Sequence, residues 1–223
     1  MTRVHNGRAR RAVQLAIPPV VEGVIWGTAD THRPLETWWP GAIPAASLVK
    51  IEGRKSTGKS TVAAAIAASI SGGPVVPGWT GPTDRRVLWQ SGEEDWDRIV
   101  GPRLRRAGVP VGMYGRLTAR TTRGDPRRVV LPDDLPILSD AIREGGVGLV
   151  VLDPYSSLVG SSIDLSVPQQ ARLWLELIAE TFAAAQAVCL CVGHVRKGRG
   201  GDSREAGYGC AETANVMRSI MRC

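Results

Sequence analysis

Gly53-Arg54-Lys55-Ser56-Thr57-Gly58-Lys59-Ser60 satisfies the pattern G-x-x-x-x-G-K-[ST] at every fixed position. Two glycines let the backbone turn tightly and bring successive N–H groups against an anion, where a Cβ would obstruct the approach. Before the loop, Ala46 to Glu52 (ASLVKIE) reads as a buried strand; after it, Thr61 to Ile70 (TVAAAIAASI) reads as an alanine-rich helix. Strand, loop, helix is the order this motif requires. Such a loop cradles phosphates, with the helix N-terminus adding its positive end. A chance match remains the alternative in a chain with 26 glycines, but the flanking elements argue against it.

Residues Gly53, Arg54, Lys55, Ser56, Thr57, Gly58, Lys59, Ser60 and Thr61 are therefore the expected binding set for a nucleoside triphosphate. Lys59 reaches the β- and γ-phosphates and Ser60 offers its hydroxyl to Mg²⁺.

Working outward, strand-like and helix-like stretches alternate. Arg86 to Ser91 (RVLWQS) is a predicted strand ending at Gly92-Glu93-Glu94-Asp95, followed by an amphipathic helix over Trp96 to Ala107. Met113 to Ala119 is a predicted strand, Leu131 to Glu144 a helix, and Val147 to Asp153 (VGLVVLD) a strand buried on both faces. Val167 to Ala184 is the next helix and Ala187 to Gly193 (AVCLCVG) the next buried strand. This alternation predicts an α/β fold, a mostly parallel twisted sheet with helices on both faces. Ligands in such sheets bind beyond the carboxyl ends of the strands.

Three strand ends carry chemistry. Asp153 closes an apolar strand where a carboxylate can share Mg²⁺ with Ser60, although an aspartate there also serves as a cap or turn residue. Glu93 and Glu94 follow a strand end, so at least one can orient a water at the γ-phosphate; an exposed acidic turn is the alternative. His194 ends its strand near the depth of the γ-phosphate and either bonds that phosphate or caps the strand.

The remaining segments are less specific. Residues 1–34, with Arg3, Arg8, Arg10 and Arg11 and at most one short strand at Val20 to Trp26, read as a basic, poorly ordered arm before a domain at 35–223. Trp38 and Trp39 either pack on the core or cover an adenine, packing being the commoner role of tryptophan. Ser71 to Asp84 is rich in Gly and Pro and reads as a surface loop. The basic run Arg116 to Arg128 (RLTARTTRGDPRR) reads as a phosphate lid, a nucleic-acid patch or a solvated connection.

With 223 residues, 43% hydrophobic and 22% charged, the chain suits one globular domain. No apolar run approaches the roughly 20 residues that span a bilayer, and the N-terminus has no apolar core after its charges, so a cytoplasmic protein with no membrane partner is expected. The net charge of +7 is compatible with a polyanion. Cys189, Cys191, Cys210 and Cys223 form no zinc spacing and are expected as reduced thiols.

In this order GAIPAASLVKIEGRKSTGKST, VLWQSGEED, LPDDLPILSDAIRE, LVVLDPYSSLVG and HVRK, spread over Trp39 to Arg222, resemble a RecA-like P-loop ATPase of the RepA type, the hexameric plasmid replicative helicase and its relatives. That resemblance implies ATP and Mg²⁺ as cofactors, Glu93 as the water-activating glutamate, Asp153 as the Mg²⁺ aspartate and His194 as the γ-phosphate sensor. It implies a homo-oligomeric ring and single-stranded DNA held through the loop Gly198 to Gly209. It makes Arg218 the finger that reaches a neighbour's nucleotide. The usual Arg-Gly-Ser before that segment stands here as Tyr208-Gly209-Cys210, and the chain stops at Cys223 where relatives continue, which implies a shortened or partial copy. An ATP-gated recombinase filament and a small-molecule kinase are the rival readings.

Overall fold

The computed structural model describes residues 34–194 and 215–223. The strand at Val20 to Trp26, the basic arm to residue 33, the segment from Val195 to Lys197 and the loop Gly198 to Gly209 lie outside the described residues.

After a short antiparallel hairpin, β1 (Thr37–Trp39) with β2 (Ile43–Pro44), the chain enters β3 (Leu48–Gly53), every residue of which is buried. The phosphate loop follows, then α1 (Lys59–Ile70). Next come β4 (Arg86–Ser91), α2 (Gly101–Ala107), β5 (Tyr114–Gly115), and a second hairpin, β6 (Ala119–Arg120) with β7 (Pro126–Arg127). The second half holds α3 (Leu135–Gly145), β8 (Val147–Asp153), α4 (Pro168–Ala184), β9 (Val188–His194) and β10 (Ser219–Arg222).

Six strands form one sheet in the order β10-β3-β9-β8-β4-β5, and every neighbouring pair is parallel. Alternation along the strands divides the core in two. Val49, Ile51, Trp89, Val151 and Leu190 face α1 and α2; Leu48, Val150, Leu152, Cys189 and Cys191 face α3 and α4. Helices thus cover both faces, as an α/β RecA-like P-loop NTPase fold requires. The alanines of α1 suit its place: Ala63, Ala64, Ala67 and Ala68 are buried, and their small side chains bring the helix close to the strands below.

Several boundaries differ from the sequence reading. The helix expected from Leu131 begins only at Leu135, because the Asp134 carboxylate accepts from Val130 N–H and from Arg127, which folds residues 130–134 into a turn. Met113 to Ala119 is two short strands in different sheets rather than one. Trp96 to Val100 forms a wide π-helical turn, with Val100 N–H bonding the Asp95 carbonyl, before α2 starts. The edge strand β10 has no counterpart in the sequence reading. Trp38 is buried against Trp79, ring centroids 6.4 Å apart, and Trp39 donates to the Pro77 carbonyl, so both tryptophans pack. Cys189 and Cys191 are buried free thiols and Cys223 is an exposed one. Among the described residues no helix is long and apolar enough to cross a membrane.

Strand β3 also carries two charges into the core. Lys50 and Glu52 alternate with Val49 and Ile51, and Lys50 Nζ lies 2.8 Å from Glu52 Oε2, the two side chains only 2% and 3% exposed. Arg222 on β10 donates to the other oxygen at 2.9 Å. Burial pushes the Glu52 carboxyl up, but the hydrogen bonds and charges of Lys50 and Arg222 outweigh it and hold the carboxyl below its ordinary value. Stabilisation from this group is complete above the unfolded value and is lost as pH falls through the folded one. Glu52→Leu strands the Lys50 ammonium and should cost about 3 kcal/mol in urea unfolding at pH 7, whereas Lys50→Met/Glu52→Leu should recover most of that loss. A double variant no more stable than the single would show that the pair is not the source of the cost.

Candidate active site

Register places the site before any side chain is considered. Gly53 pairs with His194 across β3 and β9, and Ser91 pairs with Asp153 across β4 and β8. Since all the strands run parallel, these four residues end them on one side of the sheet.

The loop after β3 closes on Gly58, whose φ of 88° is the left-handed conformation glycine adopts without strain. Helix α1 begins at the next residue, so Lys59 and Ser60 sit in its first turn, facing the cavity with the positive end of the helix. Lys59 is only 5% exposed, and its ammonium donates to the carbonyls of Gly53 (3.1 Å) and Arg54 (2.7 Å). An ammonium has three donors, so a further N–H is left for a phosphate oxygen. Thr57 Oγ1 donates to the Arg54 carbonyl at 2.9 Å and braces the loop.

Ser60 Oγ donates to Asp153 Oδ2 at 2.7 Å. A hydroxyl and a carboxylate at that separation are hard oxygen donors of the kind Mg²⁺ takes, so the residues present fit that ion. Burial pushes the Asp153 carboxyl above its ordinary value, with the charge of Glu94 adding to the shift; the Ser60 hydrogen bond and the charges of Arg103 and Lys59 oppose it.

At the end of β4, Ser91 Oγ accepts from the backbone N–H of both Glu93 (3.3 Å) and Glu94 (2.8 Å), folding the chain sharply back. Asp95 then caps the following turn by accepting from Arg98 N–H at 2.7 Å. Glu93 is exposed. Glu94 is gripped by Arg103 of α2 through two hydrogen bonds, 2.5 and 2.8 Å, a fork-to-carboxylate geometry.

A cavity of about 430 Å³ gathers these groups: Lys55 to Thr61, Glu93, Glu94, Arg103, Asp153, Pro154 and His194. Its size is that of small-molecule and cofactor sites. Six residues expected from the loop, together with Thr61, line it, as do both glutamates, the aspartate and the histidine. Gly53 and Arg54 do not line it; they contribute the carbonyls that hold Lys59. Arg218 is elsewhere: its backbone N–H bonds the Leu48 carbonyl at 2.9 Å, at the start of β3 and so at the opposite end of the sheet from the phosphate loop. Arg103 is the site residue that sequence reasoning missed. Its nine-residue spacing from Glu94 fits no single-helix pattern, and only the wide turn after Asp95 brings the two together.

No curated protein matches this chain. Residues 14–200 match a family described as the AAA domain. With the parallel sheet, the loop and the gathered strand ends already in place, that match covers most of the chain, which belongs to the AAA domain family of P-loop ATPases.

Proposed function

We propose that this chain hydrolyses MgATP in a DNA-coupled motor of the RepA-like helicase kind. The observation that carries the reading is the cavity itself, where Lys59, the Ser60–Asp153 pair, Glu93, Glu94 and His194 arrive from four different strand ends. A phosphotransferase needs the first three; the acidic turn and the strand-end histidine are what a hydrolytic switch adds.

The backbone of Lys55 to Thr61 cradles the phosphates, Lys59 contacts the β- and γ-phosphate oxygens, and Ser60 with Asp153 holds Mg²⁺. That ion, when bound, would neutralise charge developing on the phosphates. Glu93 orients the attacking water and draws off its proton. His194 bonds the γ-phosphate and passes its loss to the segment that follows, including the loop Gly198 to Gly209, which binds single-stranded DNA. Arg218, exposed on the sheet edge, serves the nucleotide of a neighbouring subunit in a homo-oligomeric ring. One observation favours a second reading of the base: Glu94, not Glu93, is fixed by Arg103, and its charge reaches Asp153.

The two glutamates separate by experiment. Glu93→Gln should lower single-strand-stimulated kcat by at least about 100-fold while a non-hydrolysable analogue binds within a few-fold of wild type. If Glu94→Gln alone shows that pattern, the second reading holds; if neither does, or if DNA never stimulates turnover, the motor reading fails.

The Arg218→Ala variant should lose about 10³-fold in kcat with analogue affinity kept. Mixing it with Glu93→Gln subunits should restore turnover at the interfaces that pair an intact site with an intact finger. No recovery on mixing would remove Arg218 from a neighbour's site.

A further inference from the structure

Beyond Glu94, away from the phosphate loop, a second cavity of about 280 Å³ opens at the free edge of the sheet. Trp89, Gln90, Trp96, Arg116 and Arg128 line it, and so does Glu94, which therefore stands in the wall of both cavities.

Its chemistry is that of an anion carrying a flat face. Arg116 lies over the Trp96 ring, 5.5 Å from the centroid, and Tyr114 braces that ring at 6.3 Å. Gln90 fixes the rim by bonding both the N–H and the carbonyl of Leu117. The Trp89 indole N–H is buried without a hydrogen-bond partner among the described residues. Arg128 makes no side-chain hydrogen bond or ion pair among them either, and its guanidinium lies over Gly92, where a Cβ would stand 3.1 Å from Nη2.

Charge continues from this cavity onto the β6–β7 hairpin. Residues 116–128 hold five arginines (Arg116, Arg120, Arg123, Arg127, Arg128) against one acid, Asp125, a net of +4 by 5 − 1. Of these, Arg127 is already committed to Asp134. Arg116 and Arg128 line the cavity, while Arg120 donates to the Gly124 carbonyl within the hairpin turn.

We infer that this cavity binds one nucleotide of a single-stranded nucleic acid, its base against Trp96 and Arg116 and its phosphates on Arg116 and Arg128. A single strand presents bases with free faces, which a duplex keeps inside its stack. The inference rests on the DNA-coupled reading above and adds a contact separate from the loop Gly198 to Gly209. It also supplies a route for stimulation: Glu94, gripped by Arg103, stands in the wall of both cavities, so a strand bound here borders the pair that lines the phosphate-loop cavity.

The test is binding of labelled oligo(dT) to the full chain with a non-hydrolysable ATP analogue, measured by anisotropy between 50 and 200 mM salt. Arg116→Gln and Arg128→Gln should each weaken binding and flatten the slope of log Kobs against log salt by about 0.7, and the double variant by about 1.4. Trp96→Leu should weaken binding about tenfold with the slope unchanged, as loss of a stacked base does. DNA-stimulated turnover should fall in parallel in all of them. A double variant with wild-type affinity and slope, in a protein whose turnover DNA still stimulates, overturns this site and leaves the motor reading standing. Wild-type protein that neither binds oligo(dT) nor responds to it sinks both. Loss of analogue binding in the double variant would assign the cavity to ATP, and dTMP binding as tightly as oligo(dT) would assign it to a free nucleotide; either result overturns the inference.

Discussion

One hydrogen bond, from Ser60 Oγ to Asp153 Oδ2, joins residues 93 apart in sequence, and the rest of the site depends on the condition that permits it. The first turn of α1 and the last residue of β8 meet only if β3 and β8 run in the same direction and stop at the same height. Parallel pairing through β9 enforces both. It places His194 in the row between them, since β9 is the strand that separates β3 from β8. A reversed β8 would send Asp153 to the far end of the sheet with Arg218. The arrangement of these residues is therefore a property of topology before it is a property of any side chain.

That topology also sets the electrostatics. Lys59 and Asp153 are both almost fully buried, yet neither is left without a polar partner: loop carbonyls take the ammonium and the Ser60 hydroxyl donates to the carboxyl. Buried charges held by dipoles instead of direct counter-ions stay responsive to an incoming anion or cation. The Lys50–Glu52–Arg222 cluster, one residue before the loop, is the contrast. There the charges satisfy one another and fix β10 to β3, which suits a foundation and not a site.

How much of this was legible in the sequence follows from how local each signal is. Arg86 to Ser91 and Val147 to Asp153 coincide with β4 and β8 because buried parallel strands are continuous apolar runs with polar stops. The phosphate loop was legible because its glycines, lysine and serine do their work within eight residues. Edge structure was not: β10 is four residues, only partly buried, and what holds it, its pairing with β3 and the Arg222–Glu52 bond, lies about 170 residues away in sequence. The start of α3 was obscured by Asp134, which ties Val130 and Arg127 into a turn that no helical period reveals. Arg103 was invisible for the same reason, since its partner is chosen by the direction of α2.

The acidic turn shows why adjacent residues of one type need not share a role. Ser91 Oγ draws in the N–H groups of both Glu93 and Glu94, yet beyond the cavity they share, each lines a different one. Glu93 stands in the wall between the ATP cavity and a serine-lined hollow formed by residues after β8, including Ser156, Ser157 and Ser161. Glu94 stands in the wall between the ATP cavity and the arginine-lined one. The Arg103 guanidinium grips Glu94 through two hydrogen bonds, whereas Glu93 is exposed. One turn thus presents a fixed carboxylate and an exposed one to the same cavity. Each of the two neighbouring hollows therefore borders the phosphate-loop cavity through only one of these glutamates.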